Sequence, residues 1–218
     1  MKKLKYVFSI NILILTLFNS TVFSQTHLIN KNEYEINYPI NFKFDLLTNY
    51  VVIVNNKKKQ EIIYSNSKDD NYLLKINGSG KRHRATLYDF KKSIIHSFKV
   101  IHKVKKEFKY QHSTNYFNNK INYSFEELES NIKYKKIKVL VSENSKTTSQ
   151  IITLENSEHN FFSIYRVSCL HPYEKFDKIK YPGNYIVTSG IGKTKGGFDI
   201  KTKLLTVKSS KLEINIPK

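Results

Sequence analysis

Residues 91–112 read KKSIIHSFKVIHKVKKEFKYQH and combine seven lysines and three histidines with a single glutamate. At the two-residue period of a strand, positions 94–110 place five of the seven Ile, Val and Phe residues on one face, and His96 and His102 share it. The opposite face would carry lysines, namely Lys99, Lys103, Lys105 and Lys109. A helical period also aligns five of the seven apolar residues, so the period alone does not separate strand from helix.

Energetic terms favour the strand. A helix would stack lysines four positions apart, such as Lys99 and Lys103, and each like-charged pair costs about 0.2–0.5 kcal/mol. Five of the seven apolar residues are β-branched and therefore suit a pleated face. A strand covering 94–110 would be about 55 Å long, so we expect a bend, bulge or break near Lys105–Lys106. The alternative, a basic amphipathic helix, would be a membrane-surface or partner-binding element.

We therefore predict that 94–110 forms a long, bent strand with His96 and His102 facing inward. The preceding segment, ATLYDF (85–90), is the expected hairpin partner, connected through KKS (91–93). The lysines of the outer face would be solvated.

Short runs rich in β-branched and aromatic residues recur along the chain between turn-forming residues. Examples are INFKFDL (40–46), YVVIV (50–54), IKYKKIKVLV (132–141), FFSIYRV (161–167) and FDIKTKLLTV (198–207). In the first run Ile40, Phe42 and Phe44 alternate with polar residues, which is typical of a half-buried strand. Short strands at about ten-residue spacing indicate an antiparallel meander or sandwich, or a curved half-barrel.

Two segments carry helix signals. In SFEELES (124–130), Ser124 followed by Glu127 forms a capping-box pattern that predicts about two helical turns. In HPYEKFDKI (171–179), Pro172 suits the first position of a helix. The predicted fold class is therefore mainly β, a single domain with one or two short helices.

The N-terminus has the pattern of an export signal. Lys2, Lys3 and Lys5 precede an apolar run over 6–18, and Val22 and Ser24 suit cleavage before Gln25. The run is shorter than the ~20 residues that span a bilayer. We expect residues 1–24 to be a cleaved signal peptide and 25–218 to be one β-rich domain, periplasmic or secreted, without a transmembrane segment.

The net charge of +19 falls to +16 when residues 1–24, with their three lysines, are removed. Only three basic residues are arginine, the side chain that binds phosphate and bases bidentately. An exported protein also rarely meets nucleic acid, so we do not expect a nucleic-acid partner. Attraction to anionic envelope surfaces, such as acidic glycans or lipid headgroups, is consistent with the charge.

The candidate chemistry is sparse. His96 and His102 would lie about 20 Å apart on one strand, too far for a shared zinc ion, so no metal site or cofactor is predicted. Cys169 and His171 are weak candidates for a nucleophile and its base, because both would project to one side of an extended segment. The single cysteine excludes an intramolecular disulfide framework. GIGKTKGG (190–197) lacks the first glycine of a phosphate loop and is expected to be a hairpin connection.

These features predict an exported, non-enzymatic envelope protein that binds an amphiphilic or apolar ligand, or an envelope partner, on a curved sheet. The candidate binding residues are Lys99, Lys103, Lys105, Lys109, His96 and His102. The first alternative is a secreted basic module attracted to acidic glycans or anionic lipid headgroups. The second alternative is a hydrolase that depends on Cys169 and His171.

Overall fold

Two long strands, β1 (Ile40–Val54) and β11 (Asp199–Ile216), pair antiparallel at the centre of one large sheet. The computed structural model describes residues 40–79, 82–102, 106–115, 122–143, 146–165, 167, 180–193 and 197–217. Within these residues the sheet has eleven strands in the order β6-β5-β4-β3-β2-β1-β11-β10-β9-β8-β7. One meander therefore runs outward from β1 to β6, and the other runs inward from β7 to β11.

The remaining elements lie between the two central strands in the chain. They are β2 (Lys57–Ser65), β3 (Tyr72–Ser79), β4 (Arg82–Asp89), β5 (Ile94–His102), β6 (Lys106–Asn115), β7 (Asn122–Ser130), β8 (Tyr134–Glu143), β9 (Lys146–Asn156), α1 (Phe162–Tyr165) and β10 (Tyr185–Lys193). The sheet is open, with β6 and β7 as its edges. The prediction of a mainly β, curved antiparallel meander with a short helix is confirmed.

The lysine-rich segment predicted as one long, bent strand instead forms the two strands β5 and β6 of a hairpin. β5 and β6 pair antiparallel, with Val100 opposite Phe108 and Phe98 opposite Tyr110. The predicted break is present, and the prediction of a single continuous strand is wrong because the chain reverses there. The face assignment holds, since opposite residues of a hairpin share a face. The pairing of ATLYDF with this segment is confirmed by the β4–β5 register.

Two predicted elements are wrong. SFEELES forms strand β7, where Glu126 lies 3.3 Å from Lys138 and Glu127 lies 3.0 Å from Lys135 on the neighbouring strand. Pairing with β8 outweighs the local capping signal. FFSIYRV, expected to be a strand, contains helix α1; the side chain of Asn160 accepts a hydrogen bond of 3.0 Å from the backbone N–H of Phe162 at its start.

The second predicted helix, 171–179, lies outside the described residues. The hairpin connection predicted for 190–197 is right in part: β10 and β11 are antiparallel neighbours, but residues 190–193 belong to strand β10.

The sheet buries side chains on both faces of β2, β3 and β4, so that two cores share these strands. Leu73 and Tyr88 belong to a core that packs around α1, here called the helix-side core. Their neighbours Leu74 and Leu87 point to the opposite face and are also buried. That second face meets the first half of β1, where the Phe42 ring lies 6.0 Å from the His96 ring. It is called the His96-side core.

Helix α1 and its flanks lie within the helix-side core. The buried residues of this segment are Phe161, Phe162, Ser163, Ile164, Tyr165 and Val167. Tyr50 donates a hydrogen bond of 2.7 Å from its hydroxyl to the carbonyl oxygen of Val187, and this bond links the central strand to β10 across the same core. The face that a curved sheet would offer to an internal ligand is therefore packed by residues of the chain itself.

Candidate ligand-binding groove

The predicted binding residues are separated by the sheet into different environments. His96 is fully buried in the His96-side core, whereas Lys99 and Lys109 are exposed on the opposite face of the β5–β6 hairpin. Lys103 and Lys105 lie outside the described residues, as do Cys169 and His171. His102 ends β5, and its side chain is not described.

His96 is held by a short chain of hydrogen bonds. Its Nδ1 lies 2.6 Å from the Ser113 hydroxyl, which lies 2.8 Å from the hydroxyl of Tyr110. Burial, followed by the charge of Lys92, lowers the pKa of His96 from 6.5 to about 4. His96 is therefore a neutral core residue near pH 7, and it does not share a surface with the lysines.

Lys99 and Lys109 lie directly opposite each other in the β5–β6 register, and Arg84 lies directly opposite Lys99 on the other side. The three residues form one row across adjacent strands, here called the cation row. A groove of about 800 Å³ adjoins the row and is lined in part by Thr86 and Ser97. Sequence reasoning missed Arg84, although the predicted hairpin through KKS implied a register that would have placed it there.

A second groove, of about 730 Å³, lies on strands β9, β10 and β11 and was not predicted from the sequence. Ile151 and Ile191 lie directly opposite each other on its floor, and 52% of Ile191 is exposed. The sequence pattern of 190–197 predicted a hairpin connection and gave no indication of a binding surface. This site is called the isoleucine groove.

Lysines extend the isoleucine pair on both sides. Lys201 lies opposite Ile191 on β11, and Lys138 lies opposite Ile151 on β8. Directly paired residues share a face. Lys138, Ile151, Ile191 and Lys201 therefore form one row across four strands, with a lysine at each end and the two isoleucines between them. Lys138 lies 3.3 Å from the Glu126 carboxylate, whereas no described carboxylate lies within ion-pair distance of Lys201.

On the face opposite the groove, strands β9 and β10 contact helix α1 through Gln150. Gly192 lies opposite Gln150, and a Cβ at position 192 would lie 2.6 Å from the Gln150 Cγ. The missing side chain leaves room for Gln150, whose Oε1 accepts a hydrogen bond of 2.6 Å from the buried Tyr165 hydroxyl. The β9–β10 pair is thus anchored to α1 on one face while it presents Ile151 and Ile191 on the other.

At the end of the groove, Lys193 and Asp199 close the β10–β11 pairing. Their side chains lie 3.7 Å apart and are both largely exposed. Thr147 and Ser149 add hydroxyl groups to the lining. The arrangement offers an apolar floor, hydroxyl donors and excess positive charge, which suits non-covalent binding better than bond-making chemistry.

Within the described part of the chain, no group of three or more His, Cys, Asp and Glu side chains is arranged to hold a metal ion. The described residues include no helix that is both long enough and apolar enough to cross a membrane. No protein-family model matches this chain, and a search of curated proteins finds no significant match.

Proposed function

We propose that this chain is an exported, non-enzymatic envelope protein that binds an anionic amphiphile in the isoleucine groove. The observation that carries the proposal is the exposed pair Ile151–Ile191, lying in one cross-strand row between Lys138 and Lys201. An apolar chain would cover the isoleucines while an acidic headgroup would contact Lys201. The N-terminal signal pattern supports the exported location.

The size and composition of the groove fit such a ligand. Small-molecule sites have volumes of about 300–1,000 Å³ and are mostly apolar with a few placed polar groups. The groove has about 730 Å³, with Thr147 and Ser149 as candidate hydrogen-bonding groups. Covering apolar surface contributes roughly 25 cal/mol per Å², so the exposed half of Ile191 favours an alkyl chain over a fully polar ligand.

The packing of the helix-side core supports a ligand site on the other face of the sheet. The segment around α1 is buried against Ile63, Leu73 and the strands opposite. An amphiphile inside this core would have to displace residues that are already packed at low exposure. The proposed ligand therefore binds to the outer face of β9–β11.

The proposal is tested by equilibrium titration with 11-(dansylamino)undecanoic acid, a fluorescent anionic amphiphile, below its micelle concentration. Saturable binding is expected. The uncharged amide of the same probe should bind more weakly, because it lacks the carboxylate that would pair with the Lys201 ammonium. Equal binding of the two probes would remove the role of the lysines. The absence of saturable binding by both would contradict the proposed function.

A further inference from the structure

We infer that the cation row, Arg84–Lys99–Lys109, is a binding site for a linear acidic polysaccharide. This site lies on strands β4, β5 and β6 and is separate from the isoleucine groove. The registers place the three residues side by side across neighbouring strands, which are about 4.8 Å apart. Each cation is therefore spaced for an anionic group on successive units of an extended polymer.

The row contrasts with positions of this sheet where a lysine lies directly opposite a glutamate. Lys43 lies directly opposite Glu213, with 3.7 Å between their charged groups, and Lys138 lies opposite Glu126 in the same manner. In the registers of the described strands, only the cation row places lysine or arginine directly opposite another such residue.

Like charges directly opposite each other destabilise a sheet. No described carboxylate lies within ion-pair distance of Arg84, Lys99 or Lys109. Glu107 lies two residues before Lys109 on the same face of β6, in the adjacent cross-strand row opposite Ile101. A bound polyanion would relieve the repulsion among the three cations, so the folded sheet carries an electrostatic preference for such a ligand.

The groove beside the row supplies neutral hydrogen-bonding groups. Thr86, Ser97 and His112 form the next cross-strand row on the same face, and they line the groove of about 800 Å³. Between the two rows, the register of β6 shifts so that Gln111 has no residue directly opposite it, and Gln111 also lines the groove. Hydroxyl, imidazole and amide groups next to cations match a polymer that carries both carboxylates and sugar hydroxyls.

The same face argues against two other polyanions. Single-stranded nucleic acid is bound mainly by aromatic side chains that stack on bases, and the cation row and the row beside it contain no Phe, Tyr or Trp. Membrane headgroup binding is strengthened by exposed apolar residues that insert between lipids. The exposed large hydrophobic residues of the described chain, Leu128, Ile132, Ile191, Phe198, Leu205 and Val207, lie on other strands or turns. A glycan is therefore the polyanion that this face fits.

The test uses the mature chain and fluorescein-labelled alginate oligomers, linear polymers of uronic acids, in fluorescence anisotropy titrations at low and high salt. The variant carries Arg84→Gln, Lys99→Gln and Lys109→Gln. Its matched control removes three exposed lysines elsewhere, Lys57→Gln, Lys58→Gln and Lys211→Gln, and so has the same net charge. The row variant should bind alginate about tenfold more weakly than wild type, because it loses three adjacent cations that contact one polymer. The control should bind less than threefold more weakly, because its three lysines are scattered and each exposed ion pair contributes little.

The melting temperature distinguishes misfolding from loss of binding. The row variant should melt at the same temperature as wild type or higher, because the repulsion among the three cations is removed. Equal weakening in variant and control would overturn the site in favour of diffuse charge. Tighter binding to vesicles of phosphatidylglycerol than to alginate would overturn the glycan assignment. Ile191→Ser should leave alginate binding unchanged, so failure of this site and failure of the proposed amphiphile site give different results.

Discussion

Lys75 donates a hydrogen bond of 2.6 Å from its Nζ to the carbonyl oxygen of Val167, 92 residues later in the chain. The same Nζ lies 3.5 Å from Glu61, and the side chains of Lys75 and Glu61 are only 2% and 1% exposed. Glu61 also contacts Lys59 at 3.1 Å. This buried ion pair therefore joins β2 and β3 to the segment that fills the helix-side core.

Lys75→Met should lower the free energy of unfolding by about 3 kcal/mol, because it removes the buried one of the two lysines that contact the Glu61 carboxylate and takes the ammonium donor away from the Val167 carbonyl. Urea unfolding followed by circular dichroism measures the change. Lys58→Met, at an exposed position of β2, should change the stability by less than about 0.5 kcal/mol. A Lys75→Met loss as small as that of the control would show that the pair does not hold the segment in place.

His96 should make stability depend on pH below neutrality. The unfolded chain protonates this residue near pH 6.5, whereas burial and Lys92 lower its pKa to about 4 in the folded state. The stabilisation is therefore complete above about pH 6.5 and is lost as the pH falls toward 4, by about 3 kcal/mol in total.

Unfolding free energies at several pH values between 4 and 7 test this, with the difference between wild type and His96→Leu as the readout. That difference should shift in favour of the variant as the pH falls. Gln111→Leu, at an exposed position on β6 with no titratable group, should follow the wild-type curve. Parallel curves for wild type and His96→Leu would contradict the burial of a neutral His96.

Tyr165→Phe should destabilise the protein by about 1–3 kcal/mol, because the buried Oε1 of Gln150 loses the donor that lies 2.6 Å away. Burial raises the pKa of Tyr165 far above its usual value, so the hydroxyl remains a donor over the usable pH range. Thermal unfolding gives the comparison. Tyr185→Phe, at a half-buried position, should change stability by less than about 0.5 kcal/mol; equal losses in the two variants would rule out the hydrogen bond as the cause.

The hairpin of β5 and β6 shows how far the sequence could predict the fold. Alternation and β-branching correctly identified strand structure and put Phe98 and Val100 on the buried face. They could not distinguish one bent strand from two paired strands, because a reversal that keeps Phe108 and Tyr110 on the same face preserves the pattern. The capping pattern at Ser124 wrongly predicted a helix for a related reason. The ion pairs that join this segment to β8 involve residues distant in the sequence, so a local pattern cannot show them.

The binding surfaces were predictable only in part. Lys99 and Lys109 were identified as exposed, but joining them with Arg84 requires the registers of two hairpins. Ile151 and Ile191 are forty residues apart; Ile151 looked like an ordinary strand residue, and Ile191 was expected to lie in a hairpin connection. Only the pairing of β9 with β10 reveals that both face outward between lysines.

In the proposed function, the exposed isoleucine pair binds the apolar part of an anionic amphiphile. Its most direct test is the dissociation constant of 11-(dansylamino)undecanoic acid for wild type, Ile191→Ser and Leu128→Ser. Leu128 is a matched control, because 43% of it is exposed on β7, outside the groove. Ile191→Ser should weaken binding about fivefold to tenfold, since about 1 kcal/mol of apolar contact is lost, and Leu128→Ser should leave it within twofold. Equal affinities of wild type and Ile191→Ser would contradict the claim.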